Sequence, residues 1–253
     1  AAAAAAAAAD PLRSDFACFA EARALSAQNQ FFAGYTHEEL DWSRPVHAIF
    51  VDFKGDSMQL GMLISRLEER GEQYVFVAGP PLPGFNGGWH FSAVNDFEHP
   101  SEQGKLAPAW RDIRVWTRAT YVCSVAADGS AALASRTAPD TPLPITSSFK
   151  LSNIYFTGGL MPHTLIANHI LNDKPMSLVI AKHLELGSTF AVVGHGLDVL
   201  LACGMPAAAD PPIAGFEAAV YPKQDRLLEI SKVRKSPSAV CRSSAAAAAG
   251  GAA

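Results

Sequence analysis

The clearest pattern along the chain is strict alternation of apolar and polar positions over 111–127, RDIRVWTRATYVCSVAA. Ile113, Val115, Thr117, Ala119, Tyr121 and Cys123 fall on one face, and Arg114, Trp116, Arg118 and Thr120 on the other. Period two over that length predicts one long, half-exposed strand, turned by Asp128-Gly129. Apolar, β-branched runs bounded by Gly, Pro or Asp predict further strands at 46–53, 73–79, 149–156, 176–186 and 188–203. Helical spacing is rarer. Leu60, Leu63, Ile64 and Leu67 form a stripe that favours helix over strand for 62–70, with Gly71 as its stop. Asp10 to Ala27 predicts an amphipathic helix, and Thr36-His37-Glu38-Glu39 predicts a capped single turn. Residues 164–171 read equally as helix or strand.

Short strands punctuated by Gly/Pro turns, with few internal helices, predict a mostly β protein. The expected architecture is an antiparallel β-sandwich, jelly-roll-like, with an N-terminal helical arm. The expected boundaries are 1–44 for the arm, 45–233 for the sandwich and 234–253 for a flexible tail.

Composition narrows the function classes. Of 253 residues, 49% are hydrophobic and 17% charged, which excludes an intrinsically disordered effector. A net charge of -4 argues against binding nucleic acid through a broad basic face, and no apolar run reaches the ~18 residues of a membrane span. The one basic cluster, Lys232, Arg234, Lys235 and Arg242, reads as a solvated tail or a weak polyanion contact. Four cysteines at 18, 123, 203 and 241 lie too far apart for a zinc knuckle or a disulfide scaffold, and read as buried thiols of an intracellular protein. The alanine run 1–9 lacks the basic start of a signal peptide and reads as a stand-in for unidentified side chains.

Candidate chemistry is sparse. His163 and His169 are six residues apart, which fits no helical zinc pair, and His183 with Glu185 reads as a surface pair on one strand face. Gly194-His195-Gly196 has the glycine setting of a nucleophile elbow without its serine, so those glycines read as a bulge or a close backbone approach. Asp52, near His47, reads as an ordinary polar residue at a strand edge. Neither phosphate-loop pattern occurs, so no cofactor, metal or catalytic residue is expected. Trp116 between Arg114 and Arg118 reads either as packing against a loop or as an interface anchor.

The segment from Gly159 to His183 resembles a motif of picornavirus-like capsid proteins. Pro162-His163, Leu165-Ile166, Asn168, the turn Asn172-Asp173 and the run Met176 to Ile180 occupy the corresponding places. That resemblance implies a jelly-roll shell subunit without an active site. It would assemble with copies of itself or related subunits, bind nucleic acid weakly if at all, touch no membrane, and reside in virions assembled in the host cytoplasm. Two alternatives stay open. One is a soluble intracellular enzyme on a β-rich or hot-dog-like fold with 163–183 near its site, and the other is a non-catalytic binding sandwich.

Overall fold

The structure is a computed structural model that describes residues 30–52, 55–80, 90–94, 114–159, 161–170, 174–203, 217–218, 229 and 232–236. The predicted helix 10–27 and Arg242 lie outside these residues.

Seven strands form the main sheet. In chain order they are β2 (His47–Val51), β4 (Tyr74–Ala78), β7 (Tyr121–Val125), β8 (Ala131–Ser135), β9 (Ala138–Pro144), β10 (Asn153–Phe156) and β11 (Thr189–Val192), in spatial order β11-β10-β2-β4-β7-β8-β9. The first five in that spatial order run parallel, and β8 and β9 extend the sheet as antiparallel neighbours. A second sheet joins β1 (Gln30–Ala33), β6 (Arg114–Arg118), β5 (His90–Val94) and β3 (Gly55–Asp56) in that order. A two-residue pairing links β12 (Glu217–Ala218) to β13 (Arg234–Lys235).

Among the described residues four α-helices follow the strands: α1 (Ser57–Glu69), α2 (Met161–Leu165), α3 (Lys174–Glu185) and α4 (Gly196–Cys203). A π-helical turn, Ile166–Ile170, continues α2. They cover both faces of the main sheet. Ala48, Phe50, Val75 and Val77 pack with Leu165, Val179, Ile180 and Val199 on one side. Ile49, Val51, Phe76 and Ala78 pack with Leu60, Ile64 and Leu67 of α1 on the other. Strands buried on both faces are continuous apolar runs, as parallel sheets require.

This architecture overturns the antiparallel jelly-roll sandwich. Three local errors produced that expectation. The run 176–186 is helix, because Met176, Val179, Ile180 and His183 are all fully buried at offsets of three, four and seven. The run 188–203 is a four-residue strand followed by α4. The predicted long strand 111–127 is two strands in different sheets, β6 and β7, broken at Ala119–Thr120, where the Thr120 N–H bonds Phe76 O (2.8 Å). Trp116 therefore sits at the centre of the second sheet, paired with Phe31 on β1 and Ser92 on β5, and Arg114 pairs with Val94.

Other local expectations match the fold. Helix α1 ends at Gly71, whose φ of +64° is the left-handed conformation of a helix stop. The single turn His37–Glu39 is held by the Thr36 N–H donating to Glu39 Oε2 (2.8 Å). Independently of those expectations, Lys232, Arg234 and Lys235 are exposed at or beside β13.

Candidate functional site

In an open parallel sheet, ligands bind beyond the carboxyl ends of the strands, where successive connections leave in opposite directions. Here that point lies between β2 and β10, since β2 is followed on one side by β4 and flanked on the other by β10. Asp52 follows β2, Gly79 follows β4, Thr157 to Gly159 follow β10, and Val193 to His195 follow β11.

The front wall is tied together by Gln59. Asp56 opens α1, with its carboxylate accepting the Gln59 N–H (3.0 Å) and one Gln59 Nε2–H (2.9 Å). Gln59 Oε1 in turn accepts the Gly158 N–H (2.7 Å), which fixes the helix start against the end of β10. A side chain at Gly158 would press on the Gln59 amide at 3.1 Å.

The opposite wall is the turn from β11 into α4. Gly194 has φ +54°, and a Cβ on Gly196 would lie 2.5 Å from Phe156 O, so α4 starts directly on the backbone of β10. At the apex of this turn the His195 Nδ1–H donates to Asp198 Oδ2 (2.9 Å). The imidazole is 48% exposed and the carboxylate only 10%. His163, on α2, brings its ring centroid to 4.9 Å from that of His195.

Beneath lies a buried pair. His169 Nε2 stands 3.8 Å from Asp52 Oδ2, with both side chains at 1% exposure or less. At this distance the contact is electrostatic rather than a good hydrogen bond. A Cβ on Gly79 would collide with the His169 ring, so glycine there makes room for it. His169 belongs to the π-helical turn, a distortion that recurs at functional sites.

Sequence spacing placed none of these partners together. It grouped His163, His169 and His183, which the structure separates. His163 is exposed on α2 beside His195, and His169 is buried against Asp52. His183 is in the core, where its Nδ1–H donates to Val179 O (2.8 Å) and Nε2 accepts the Leu151 N–H (3.1 Å). The expected His183–Glu185 surface pair does not exist, because residues two apart on a helix diverge and Glu185 instead bonds Lys182 (2.9 Å). Asp52, read as an edge residue, is 1% exposed. The one available signal was Gly-His-Gly between an apolar strand and an apolar helix. Arg118 lines a separate cavity, and Arg114 and Trp116 are placed only by their register on β6.

Two other chemistries fare poorly among the described residues. No group of three His, Cys, Asp or Glu side chains is placed to hold a metal ion. Burial pushes the Cys123 thiol up strongly and that of Cys203 up to about 12, so neither supplies a thiolate. No helix among the described residues is long and apolar enough to cross a membrane.

The fold is an open α/β protein in which His163, His195 and Asp198 gather beyond the ends of β10 and β11. No family model and no curated protein matches the chain. Solved structures with some likeness include a two-domain protein from Anabaena variabilis containing DJ-1/ThiJ/PfpI-like and ferritin-like domains (13% identity, TM-score 0.48). That match covers 79% of this chain and 41% of the other, so the chain spans well under half of that protein's length. Others are Schizosaccharomyces pombe DJ-1 (12% identity, TM-score 0.44, 77% of each chain) and a putative protease I from Bacteroides thetaiotaomicron (11% identity, TM-score 0.41, 77% and 83%). The chain's own parallel sheet excludes the capsid jelly roll. The shell-subunit role, the virion location and the expected lack of an active site fall with the resemblance that carried them.

Proposed function

We propose that this chain is an enzyme of the proton-transfer type, acting on a small carbonyl compound in the crevice between β2 and β10. The supporting observation is the His195–Asp198 hydrogen bond of 2.9 Å beside the His163 ring at 4.9 Å. A largely buried carboxylate that accepts the Nδ1–H of a half-exposed imidazole fixes its tautomer and leaves the lone pair on Nε2. That nitrogen takes a proton from carbon beside a carbonyl, and the second imidazole returns one to oxygen or carbon. The Asp198 carboxylate stabilises the positive charge that develops on His195. The neutral thiols of the buried Cys123 and the partly buried Cys203 take no part, so no covalent step is invoked.

Deuterium wash-in tests the reading. Aldoses, ketoses and α-keto acids are incubated singly in D2O with the protein, and loss of the α-proton signal is followed by NMR. Enzyme-dependent exchange of at least one compound, abolished in His195→Gln, is expected. Exchange of none, or equal exchange by His195→Gln, would overturn it.

A further inference from the structure

The Gln59 side-chain amide is held at both ends. Its Oε1 accepts the Gly158 N–H (2.7 Å), and its Nε2 donates to the Asp56 carboxylate (2.9 Å). The two partners fix which end of the amide is which, because a backbone N–H only donates and an ionised carboxylate only accepts. The same carboxylate accepts the Gln59 backbone N–H (3.0 Å), which pins the residue to the first turn of α1. An amide fixed in this way has little rotamer freedom left to lose when a ligand arrives.

A primary amide carries two N–H donors, and Asp56 takes one of them. No other hydrogen bond ties Gln59 Nε2 to the described residues, so one preset donor is left over. Gly158 sets its place. A Cβ built on that glycine would lie 3.1 Å from Gln59 Nε2 and 3.4 Å from Val193 O. Val193 opens the turn that carries His195, so the amide and that turn approach each other across a single glycine. Gly159 needs glycine for its φ of +83°, whereas Gly158 has no positive φ and needs it for this close approach. Main-chain donors of the turn are already spent: the Gly196 N–H goes to Val193 O (2.9 Å) and the Asp198 N–H to His195 O (2.9 Å).

We propose that Gln59 is a further catalytic residue, whose remaining N–H binds the carbonyl oxygen of the substrate that His195 deprotonates; this rests on the proton-transfer reading. In that step the α-proton passes to His195 Nε2, the C–H electron pair becomes the C=C bond, and the carbonyl π pair moves onto oxygen. An imidazole is a weak base toward carbon, so the charge arriving on oxygen needs a donor already in place. A neutral amide meets that need without titrating.

Deuterium wash-in on the full chain, with glyceraldehyde, dihydroxyacetone and pyruvate as probes, decides the matter. Wild type and His195→Gln are run beside two Gln59 variants. In Gln59→Glu at about pH 6, the new carboxyl shares one proton with Asp56, keeps both anchoring bonds and lacks only the spare N–H. Its exchange rate at saturation should fall about 100-fold, with the half-saturating concentration changed less than about threefold and the melting temperature kept. Gln59→Met loses the donor and both anchors. It should lose a similar rate and some stability, and it carries the test if Gln59→Glu does not fold. An intact saturated rate in the folded variants, whatever the half-saturating concentration, would overturn this inference alone. Exchange of none of the probes by wild type, or equal exchange by His195→Gln, would overturn the proton-transfer reading and this inference with it.

Discussion

His183 ties the stability of this fold to pH in a way that can be worked from its contacts. The ring is fully buried on α3, donating from Nδ1 to Val179 O and accepting at Nε2 from the Leu151 N–H. Protonation would set a second N–H against the Leu151 N–H, inside a core that solvates charge poorly. Burial, helped by the positive Lys150 nearby, lowers its pKa from 6.5 to about 4. The folded state thus binds the proton less readily than the unfolded chain. This contribution to stability is complete above about pH 6.5 and is lost as pH falls from there toward 4. Between pH 7 and pH 5 linkage gives a loss of about 2 kcal/mol from this one group. The matching perturbation is His183→Gln, whose amide can accept from Leu151 and donate to Val179 without titrating. It should cost about 1–2 kcal/mol at pH 7 through imperfect hydrogen bonds and packing. Urea denaturation of both proteins at pH 7 and pH 5 supplies the comparison. The gap between them should close by about 2 kcal/mol on acidification. Parallel losses in the two proteins would refute the reasoning.

Three further outcomes follow from packing and exposure. Gly196→Ala places a methyl 2.5 Å from Phe156 O, a backbone atom that cannot swing aside, and should destabilise by about 3 kcal/mol in a thermal or urea melt. Gly79→Ala should displace the His169 ring and lower the melting temperature, whereas Gly129→Ala, with nothing within 4 Å but φ +83°, should cost only about 1–2 kcal/mol. Native labelling at pH 8 with a thiol reagent, read by peptide mass spectrometry, should leave Cys123 and Cys203 unmodified until denaturant is added.

Much of the strand placement was legible in the sequence, and the fold class was not. HAIFV and YVFVA were rightly strands, but Ala48 to Val51 and Tyr74 to Ala78 are buried without a break because both faces are covered, which is the mark of a parallel sheet between helix layers. Reading them only as strands left the covering helices unexplained. The helical period Met176, Val179, Ile180, His183 was hidden because a buried histidine occupies its fourth position and β-branched residues favour a strand reading. Over 111–127 the alternation continued across a break that only the Phe76–Thr120 backbone bond creates, so no local pattern could show it. The site was less legible still. His195 and Asp198 are local partners three residues apart, but His163 reaches them only through the packing of α2 against α4, a tertiary fact. Only the glycines around His195 hinted that a side chain was being presented on a tight turn.

The most direct test of the central claim is the effect of Asp198→Asn on deuterium wash-in by a carbonyl compound that the wild-type protein exchanges. Asparagine keeps the size of the side chain but removes the charge that orients and stabilises the His195 imidazolium. The exchange rate should fall about 100-fold or more, within the range of general acid–base contributions, while circular dichroism and melting temperature change little. An unchanged rate in a folded Asp198→Asn protein would contradict the account.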